Sequence, residues 1–573
     1  MSGAKILFQS LVKYNVKHVF GYPGGAILPV LNEFYNQDSI KYILSRTESG
    51  GSFMAEGYAK VTKKPGVIMV TSGPGAINIM TSLQNALSDG TPLLALTGQV
   101  STTVIGTDAF QEADVIGISK ACTKWNTLIT DSSKIQSSVD IAFAHMLDKR
   151  HGPVLLDLPK NIMSMVPEPQ QDLPSPAVRR RSVLSTITVE EIRELIMKAK
   201  RPVVLVGQGV LQADAVSLLR QFISIYKLPV TTTLMALGAV DERERRSLKM
   251  LGMHGSYVAN MAIQNCDLLL NFGSRFDDRI IGNPSMFAPK ATIVHVDILF
   301  KNINKTISTK LYRTESCKDV LQQLVTIGAD TNVDVYQTYQ WWKQLHAWKK
   351  TGFTYPTKAA LQGRQVLAAL NTLIQADSHS YTIVSDVGAH QMWAAQFIDY
   401  NAPRVRFITS GGLGTMGFAL PASIGVKIGA PDDRVICVCG DGGFLMTFQE
   451  LVTAIENGIG IKVLILNNNY QLMVKIWQEK FYNGQIVGTK MNNPPFELVC
   501  QALGCRALRV DSANGLEDVL KSFLEYSGPI VLNVITDSEE SVLPMVAPGK
   551  GLDDMILEGS ASDSEPGSGD APC

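Results

Sequence analysis

The sequence predicts an α/β protein of three doubly wound domains, each built on a parallel sheet. Two observations point there. Short apolar runs recur along the chain, each ending in Gly, Pro or Ser and separated from the next by helical patterns. Strands buried on both faces, with working loops at their carboxyl ends, produce that arrangement. The chain also has 573 residues, too many for one hydrophobic core and enough for about three.

The first block, 1–165, opens on the amphipathic helical stretch MSGAKILFQSLVKYNV. It then carries the strands KHVFGYPG, KYILS, GVIMVTSGPG, PLLALTGQ and GPVLLDLP. A linker is expected over 166–184, where VPEPQQDLPSP places four prolines in eleven residues. The basic run at 179–181 inside it reads as solvated. The second block, 185–335, has the strands PVVLVGQG, LPVTTTL, CDLLLNFGSRF and TIVHVDI. A Trp-rich helical connector follows over 336–359. The third block, 360–545, has YTIVSDVG, RFITSGG, RVICVCGDG, KVLILNNN and PIVLNVI. Residues 546–573 form a C-terminal lid and a small, polar, disorder-prone tail. Three blocks of similar make-up suggest duplication of one sheet topology.

Composition removes several classes of function. Lys+Arg and Asp+Glu both number 52, so no broad nucleic-acid or membrane footprint is expected. No apolar stretch reaches the roughly 18 residues of a membrane span. The eight cysteines show no zinc spacing, and Cys437 and Cys439 alternate along an apolar strand as core residues do. A reducing compartment follows. It is the cytoplasm, or an organelle if a transit peptide has been removed.

The strongest local signal is GDG at 440–442, with an Asn pair, Asn467 and Asn468, at the end of the next strand. Two neighbouring parallel strands thus bring an acid and an amide to one sheet edge. Magnesium takes hard oxygen ligands and shares its shell with phosphates. Asp441 offers charge and Asn468 a neutral oxygen, while Gly442 and Gly443 let the backbone approach a phosphate near a helix N-terminus. That helix is expected to open on a capping box, Thr447-x-x-Glu450. GDG followed by NN at this separation resembles the metal motif of thiamine-diphosphate enzymes. The resemblance adds the backbone carbonyl of Tyr470 as a third metal contact.

Thiamine diphosphate must lose a proton from its thiazolium carbon. Its own aminopyrimidine takes that proton when a carboxyl group hydrogen-bonds the opposite ring nitrogen. Glu48 follows the strand KYILS and precedes small residues, and TESGGSFMAEGYAK resembles the pyrimidine-side motif that bears this carboxyl. Glu56, in the same motif, reads as structural.

Over residues 1–557 the chain resembles acetohydroxyacid synthase catalytic subunits. FGYPGGAILP, TSGPGAIN, GTDAFQEAD, LGMHG, RFDDR, HQMWAAQ, GGLGTMGFALPA and MVKIWQ stand in that family's order. The resemblance implies a pyrimidine-binding, a central and a diphosphate-binding domain. It also implies a homodimer or homotetramer, with each active site shared between subunits, and a small regulatory subunit. The implied reaction decarboxylates pyruvate and passes the two-carbon unit to a second 2-ketoacid, giving 2-acetolactate or 2-aceto-2-hydroxybutyrate for branched-chain amino-acid synthesis. Gly24, Pro74 and Asn78 match the pyrimidine-side loops. Met416 matches the side chain that props the cofactor in a bent form. Gly388, His390, Gln391, Gly414 and Met473 match further cofactor contacts. Arg279 matches the arginine for the acceptor carboxylate, and Trp477 the ring that packs on its alkyl group. Phe110, Gln111 and Lys160 match the entrance channel and pocket.

The family also binds FAD, at positions matching Gly207, Gly209, Thr233, Leu234, Met253, His254, Gly273, Arg275 and Asp297. Here the sequence departs from the pattern, with Glu315-Ser316-Cys317 in place of Gly-Asp-Ala at a flavin contact, which puts FAD in doubt. Thr47, Ser49 and Phe53 also replace His, Gln and His. Ala389 replaces Gln, Leu472 replaces Gly and Ser101 replaces Pro. These are the changes of a divergent paralogue. They leave open a related thiamine-dependent 2-ketoacid carboligase or decarboxylase with other substrates. A non-catalytic homologue should have lost Glu48, Asp441 or Asn468. An NAD dehydrogenase should carry a GxGxxG with a following acid.

Overall fold

A computed structural model describes residues 1–35, 37–167, 184–331, 333–334, 336–351 and 360–557. Most of the expected linker with its basic run, the end of the connector and the C-terminal tail lie outside these residues.

The chain forms three parallel sheets of six strands each, with helices on both faces. The first contains β1 (His18–Tyr22), β2 (Lys41–Leu44), β3 (Gly66–Val70), β4 (Leu93–Gln99), β5 (Trp125–Leu128) and β6 (Pro153–Pro159). The second contains β7 (Pro202–Val206), β8 (Val230–Thr232), β9 (Ser247–Met250), β10 (Leu268–Phe272), β11 (Thr292–Val296) and β12 (Leu311–Arg313). The third contains β13 (Tyr381–Ser385), β14 (Val405–Thr409), β15 (Arg434–Gly440), β16 (Lys462–Asn467), β17 (Arg506–Val510) and β18 (Ile530–Ile535).

The strand orders are β2-β1-β3-β4-β6-β5, β12-β11-β10-β7-β8-β9 and β14-β13-β15-β16-β18-β17. The outer two sheets share one topology. The central sheet has another, the order of a dinucleotide-binding fold. The expected single duplicated topology is therefore corrected to a pair plus a different middle. In each sheet the chain reverses winding between two neighbouring strands: β1/β3, β7/β10 and β13/β15. Helices diverge there and leave a crevice at the carboxyl ends, where open α/β sheets bind ligands.

Helix Glu48–Thr62 of the first block packs along helix Ala419–Gly429 of the third. Phe53 and Phe418 meet edge to face, and one buried cluster spans both blocks. Close approach needs small residues. A Cβ on Gly57 would strike the Ala422 carbonyl, and one on Gly425 the Met54 carbonyl. The connector helix Tyr339–Lys349 buries Trp341, whose indole N–H donates to the Pro202 carbonyl at 3.1 Å. The C-terminal segment returns as a short antiparallel ribbon, Met545–Val546 with Met555–Ile556, and docks on the central block. Val546 N–H donates to Met253 O and Asn283 N–H to Lys550 O. Among the described residues, no helix is long and apolar enough to cross a membrane.

Candidate active site

At the β13/β15 crevice, GDG runs from the end of β15 into helix Asp441–Thr447. Asp441 is buried. Burial raises its pKa, against the hydrogen bonds it accepts from Asn493 Nδ2 at 2.7 Å and Gly442 N–H at 3.0 Å. Asn468 Oδ1, just past β16, accepts the Tyr470 N–H at 3.0 Å, and both residues line the same cavity as Asp441. A Cβ on Gly442 would collide with the Gln471 amide, and one on Gly443 would stand 2.9 Å from the Asp386 carboxyl carbon. Both glycines are required.

The capping box is not made. Thr447 ends its helix and donates to the Gly417 carbonyl at 3.1 Å. The Glu450 carboxylate crosses to the first block, where it accepts the backbone N–H groups of Arg46 and Thr47 and the Thr47 hydroxyl. A carboxylate with three donors in a buried interface outcompetes a solvent-side cap.

His390 lies beneath this floor. Burial pushes its pKa down to about 4, so the ring is neutral, and its Nε2 has no partner among the described residues. Gly388 and Gly440 both crowd the ring, and a Cβ on either would stand within 3.0 Å of it. Gln391 is tied to Thr409 Oγ1 at 2.8 Å. Gly414 has φ of +76° and turns the loop that carries Met416. Asp386, which ends β13 as Asp441 ends β15, accepts the N–H groups of Val387, Gly417 and Ala419 at 2.7, 3.0 and 3.1 Å. Burial nevertheless raises it to about 6. The sequence reading passed over Asp386, although an acid at the end of an apolar strand was the signal used for Asp441.

One cavity of about 820 Å³ runs from Asp441, Gly442 and Asn468 past Met416 and Trp477 to the central block. Met473 and Leu472 line it from helix Leu472–Phe481. Leu472 is also buried in the third block's core. Trp477 stands edge-on to Phe481, ring centroids 5.2 Å apart. Arg279 is 63% exposed and only loosely paired with Asp278, 3.7 Å away. Its guanidinium lies 3.9 Å from Met253 Sδ, on the cavity wall with a donor face to spare.

The flavin candidates other than Gly207 line the central end of the same cavity, at the β7/β10 crevice. Gly207 and Gly209 pack on Gly273 and Ser274, and a Cβ on Gly209 would stand 2.8 Å from Gly273 Cα. Thr233, Leu234, Met253, His254, Arg275 and Asp297 form the walls. His254 is buried, lowered to about 4, and contacts the Pro544 carbonyl. Asp297 already accepts from Leu299 N–H and Asn302 Nδ2. At the departed positions, Glu315 is held by Arg313, Ser316 caps helix Cys317–Gly328, and Cys317 Sγ abuts Gly273. Arg150 also reaches this cavity, anchored on the Leu87 and Ser88 carbonyls. No sequence pattern marked it.

The remaining candidates lie elsewhere, in the first block, with Gly24, Glu48, Pro74 and Asn78 at the β1/β3 crevice. Glu48 opens its helix, and its Oε2 accepts Asn78 Nδ2 at 3.0 Å. Gly24 lies against Thr71, whose Oγ1 is buried without a partner among the described residues. Pro74 starts the short helix Pro74–Ile77. The Gln111 carbonyl crowds Gly73, Phe110 is 89% exposed, and Lys160 is exposed at the end of β6. None of Glu48, Gly24, Pro74, Asn78, Phe110, Gln111 or Lys160 lines the cavity at Asp441.

Glu56 is fully buried and raised to about 8 by that burial. It accepts Asn85 Nδ2, and Asn85 Oδ1 accepts Ser410 Oγ, which in turn accepts Thr415 N–H. Asp89 takes the Gly412 N–H and pairs with Lys60. The first block thus grips the loop that bears Gly414 and Met416.

Three family models cover these blocks in order: thiamine pyrophosphate enzyme, N-terminal TPP binding domain over 1–118, central domain over 189–324, and C-terminal TPP binding domain over 386–534. The mitochondrial acetolactate synthase of Schizosaccharomyces pombe is 43% identical over 98% of this chain and 87% of its own length. The chain belongs to the acetolactate synthase catalytic-subunit family. The acetolactate synthase isozyme 2 large subunit of Escherichia coli is 39% identical over 97% of this chain and 99% of its own length. The large subunit of Lactococcus lactis is 38% identical over 97% and 96%. The protein is thus a thiamine-diphosphate-dependent enzyme of the acetolactate synthase type.

Proposed function

We propose that this chain decarboxylates pyruvate and joins the two-carbon remnant to a second 2-ketoacid, giving 2-acetolactate or 2-aceto-2-hydroxybutyrate. The observation that carries the reading is the joint presence, on one cavity, of the Asp441–Asn468 oxygen pair, the His390–Gly442–Gly443 cradle and the Arg279–Trp477 wall. Bound thiamine diphosphate supplies an acidic thiazolium carbon and an electron sink for the bond broken in decarboxylation. Asp441, Asn468 and the Tyr470 carbonyl would hold the magnesium that serves the diphosphate. The unpartnered His390 Nε2 would be free to donate to a phosphate oxygen, and the two glycines leave room for one. Asp386 fixes the loop that presents Met416. Glu48 would hold a proton at the pyrimidine ring nitrogen. Arg279 orients the acceptor carboxylate by charge-assisted hydrogen bonds, and Trp477 covers its alkyl tail.

The two half-sites meet between subunits in a dimer. Exposed apolar side chains flank both: Phe110, Ile77 and Ile118 on one, Leu413 and Met446 on the other, as an unpaired interface would show. The name "large subunit" of the bacterial relatives supports a small regulatory partner. The flavin end has room, but Glu315 is spent on Arg313 and a thiol stands at the Gly273 turn. FAD therefore binds weakly, which absorbance of the purified protein checks. All seven described cysteines are unpaired, in keeping with cytoplasm or an organelle matrix.

The test is incubation with thiamine diphosphate, magnesium and a panel of 2-ketoacids, with products identified by mass spectrometry. Acetolactate from pyruvate is expected. Other ketols or simple aldehydes in its place would favour the carboligase or decarboxylase with changed substrates, a reading that Leu472 on the cavity wall keeps specific.

A further inference from the structure

We propose that Asn493 is a positioning residue for the Asp441 carboxylate, held the right way round by a chain of amides that ends on Glu497. The proposal rests on the reading of Asp441 as the magnesium ligand.

Asn493 comes from a segment that wraps the metal loop from outside. Gln471 N–H donates to the Thr489 carbonyl and Met491 N–H to the Asn469 carbonyl, both at 2.8 Å. At its end, Asn493 Nδ2 donates to Asp441 Oδ2 at 2.7 Å and to Asn467 Oδ1 at 2.9 Å. Asn467 Nδ2 donates to Asn533 Oδ1 at 3.2 Å, and Asn533 Nδ2 donates to Glu497 Oε2 at 2.9 Å. Asn467 and Asn533 are buried, and Glu497 is braced by Arg509.

The chain has a direction. An ionised Glu497 only accepts, so Asn533 must turn its nitrogen outward and its oxygen toward Asn467. Asn467 is fixed in the same sense and offers its oxygen to Asn493. Asn493 then stands between two acceptors and spends both N–H groups on them. Its own Oδ1 is buried with no partner among the described residues. An amide left with an orphaned oxygen while both its hydrogens are used has been oriented for its donors.

The effect falls on Asp441. One donor sits on each of its oxygens, Asn493 on Oδ2 and Gly442 N–H on Oδ1. The plane of the carboxylate is set, and each oxygen keeps a further lone pair for a cation. A neutral amide does this without cancelling the charge that draws magnesium. A Lys or Arg in the same place would compete with the metal.

The test titrates magnesium into the protein with saturating thiamine diphosphate and follows binding by calorimetry, with a melting midpoint taken without metal. Asn493→Ala should weaken magnesium by about 10- to 100-fold, the usual loss for an outer-shell partner. Glu497→Ala should weaken it severalfold, because Asn533 and Asn467 are then free to turn over. Glu497→Gln keeps an accepting oxygen and should restore most of the affinity, a rescue that general loss of packing would not give. Wild-type affinity in both alanine variants overturns the proposal, as does a Glu497→Gln protein as weak as Glu497→Ala. If Asn493→Ala does not fold, the Glu497 pair decides alone. If wild-type protein takes up the cofactor without magnesium, the metal-site reading fails instead.

Discussion

At the scale of single residues the site divides into groups that act directly and groups that hold them. Glu48 belongs to the first kind. Glu48→Gln keeps the contact with Asn78 but removes the carboxyl proton, so thiamine diphosphate should still bind while exchange at its thiazolium carbon slows by orders of magnitude. Exchange measured by NMR at the wild-type rate would take Glu48 out of the mechanism. In the proposed reaction Trp477 sets acceptor choice. A buried methylene is worth about 0.8 kcal/mol, or roughly fourfold, so Trp477→Leu should lower the preference for 2-ketobutyrate over pyruvate by about that factor in a competition assay. An unchanged product ratio would make the ring plain packing against Phe481.

Glu56 belongs to the second kind. Its folded pKa of about 8 lies above the ordinary carboxyl value of 4.5. The folded state therefore holds a proton that the unfolded state releases. Stability from this group is complete below about pH 4.5 and drains away as pH rises to about 8. Glu56→Gln should flatten that loss and raise the melting midpoint at pH 8, while changing little at pH 5. A midpoint lowered equally at both values would mean that the carboxyl is ionised in place. GDG, the Asn pair and the Glu48 motif were legible in the sequence because each is a short local pattern. Arg150 and Asn493 were not, because their partners come from strands and loops tens of residues away.

At the scale of elements, the buried central strands were legible, while four of the six edge strands were not. β5, β9, β12 and β17 all went unread, and all lie at or next to no more than one neighbour, on the rim of a sheet. β5 and β12 are only half-buried along their length, so they lack the continuous apolar run that marked β4 or β15. Strand order was equally hidden, since apolar runs look alike in the outer and central sheets while the crossovers decide which strands meet. The capping box failed for a related reason: Glu450 found Arg46 and Thr47, more than 400 residues earlier in the chain. The helix pair Glu48–Thr62 and Ala419–Gly429 joins the same two blocks. Gly57→Ala would press a methyl on the Ala422 carbonyl and should destabilise by about 1–3 kcal/mol. Chemical denaturation followed by tryptophan fluorescence checks this, and an unshifted midpoint would mean that the helices separate easily.

At the scale of the whole molecule, the proposed dimer completes each site with Glu48 of one subunit and Asp441 of the other. In that proposed dimer two dead alleles can rescue each other. Chains carrying Glu48→Gln and chains carrying Asp441→Ala are each inactive as homodimers. When the two are co-expressed, about half of randomly paired dimers combine the sound Glu48 of one with the sound Asp441 of the other, and about a quarter of normal activity should return. No recovery would mean that both residues serve a site within one chain. Placed together on a single chain, the same two changes behave in the opposite way. Paired with a normal subunit, such a chain spoils both sites at once, so changes that are recessive apart become dominant together.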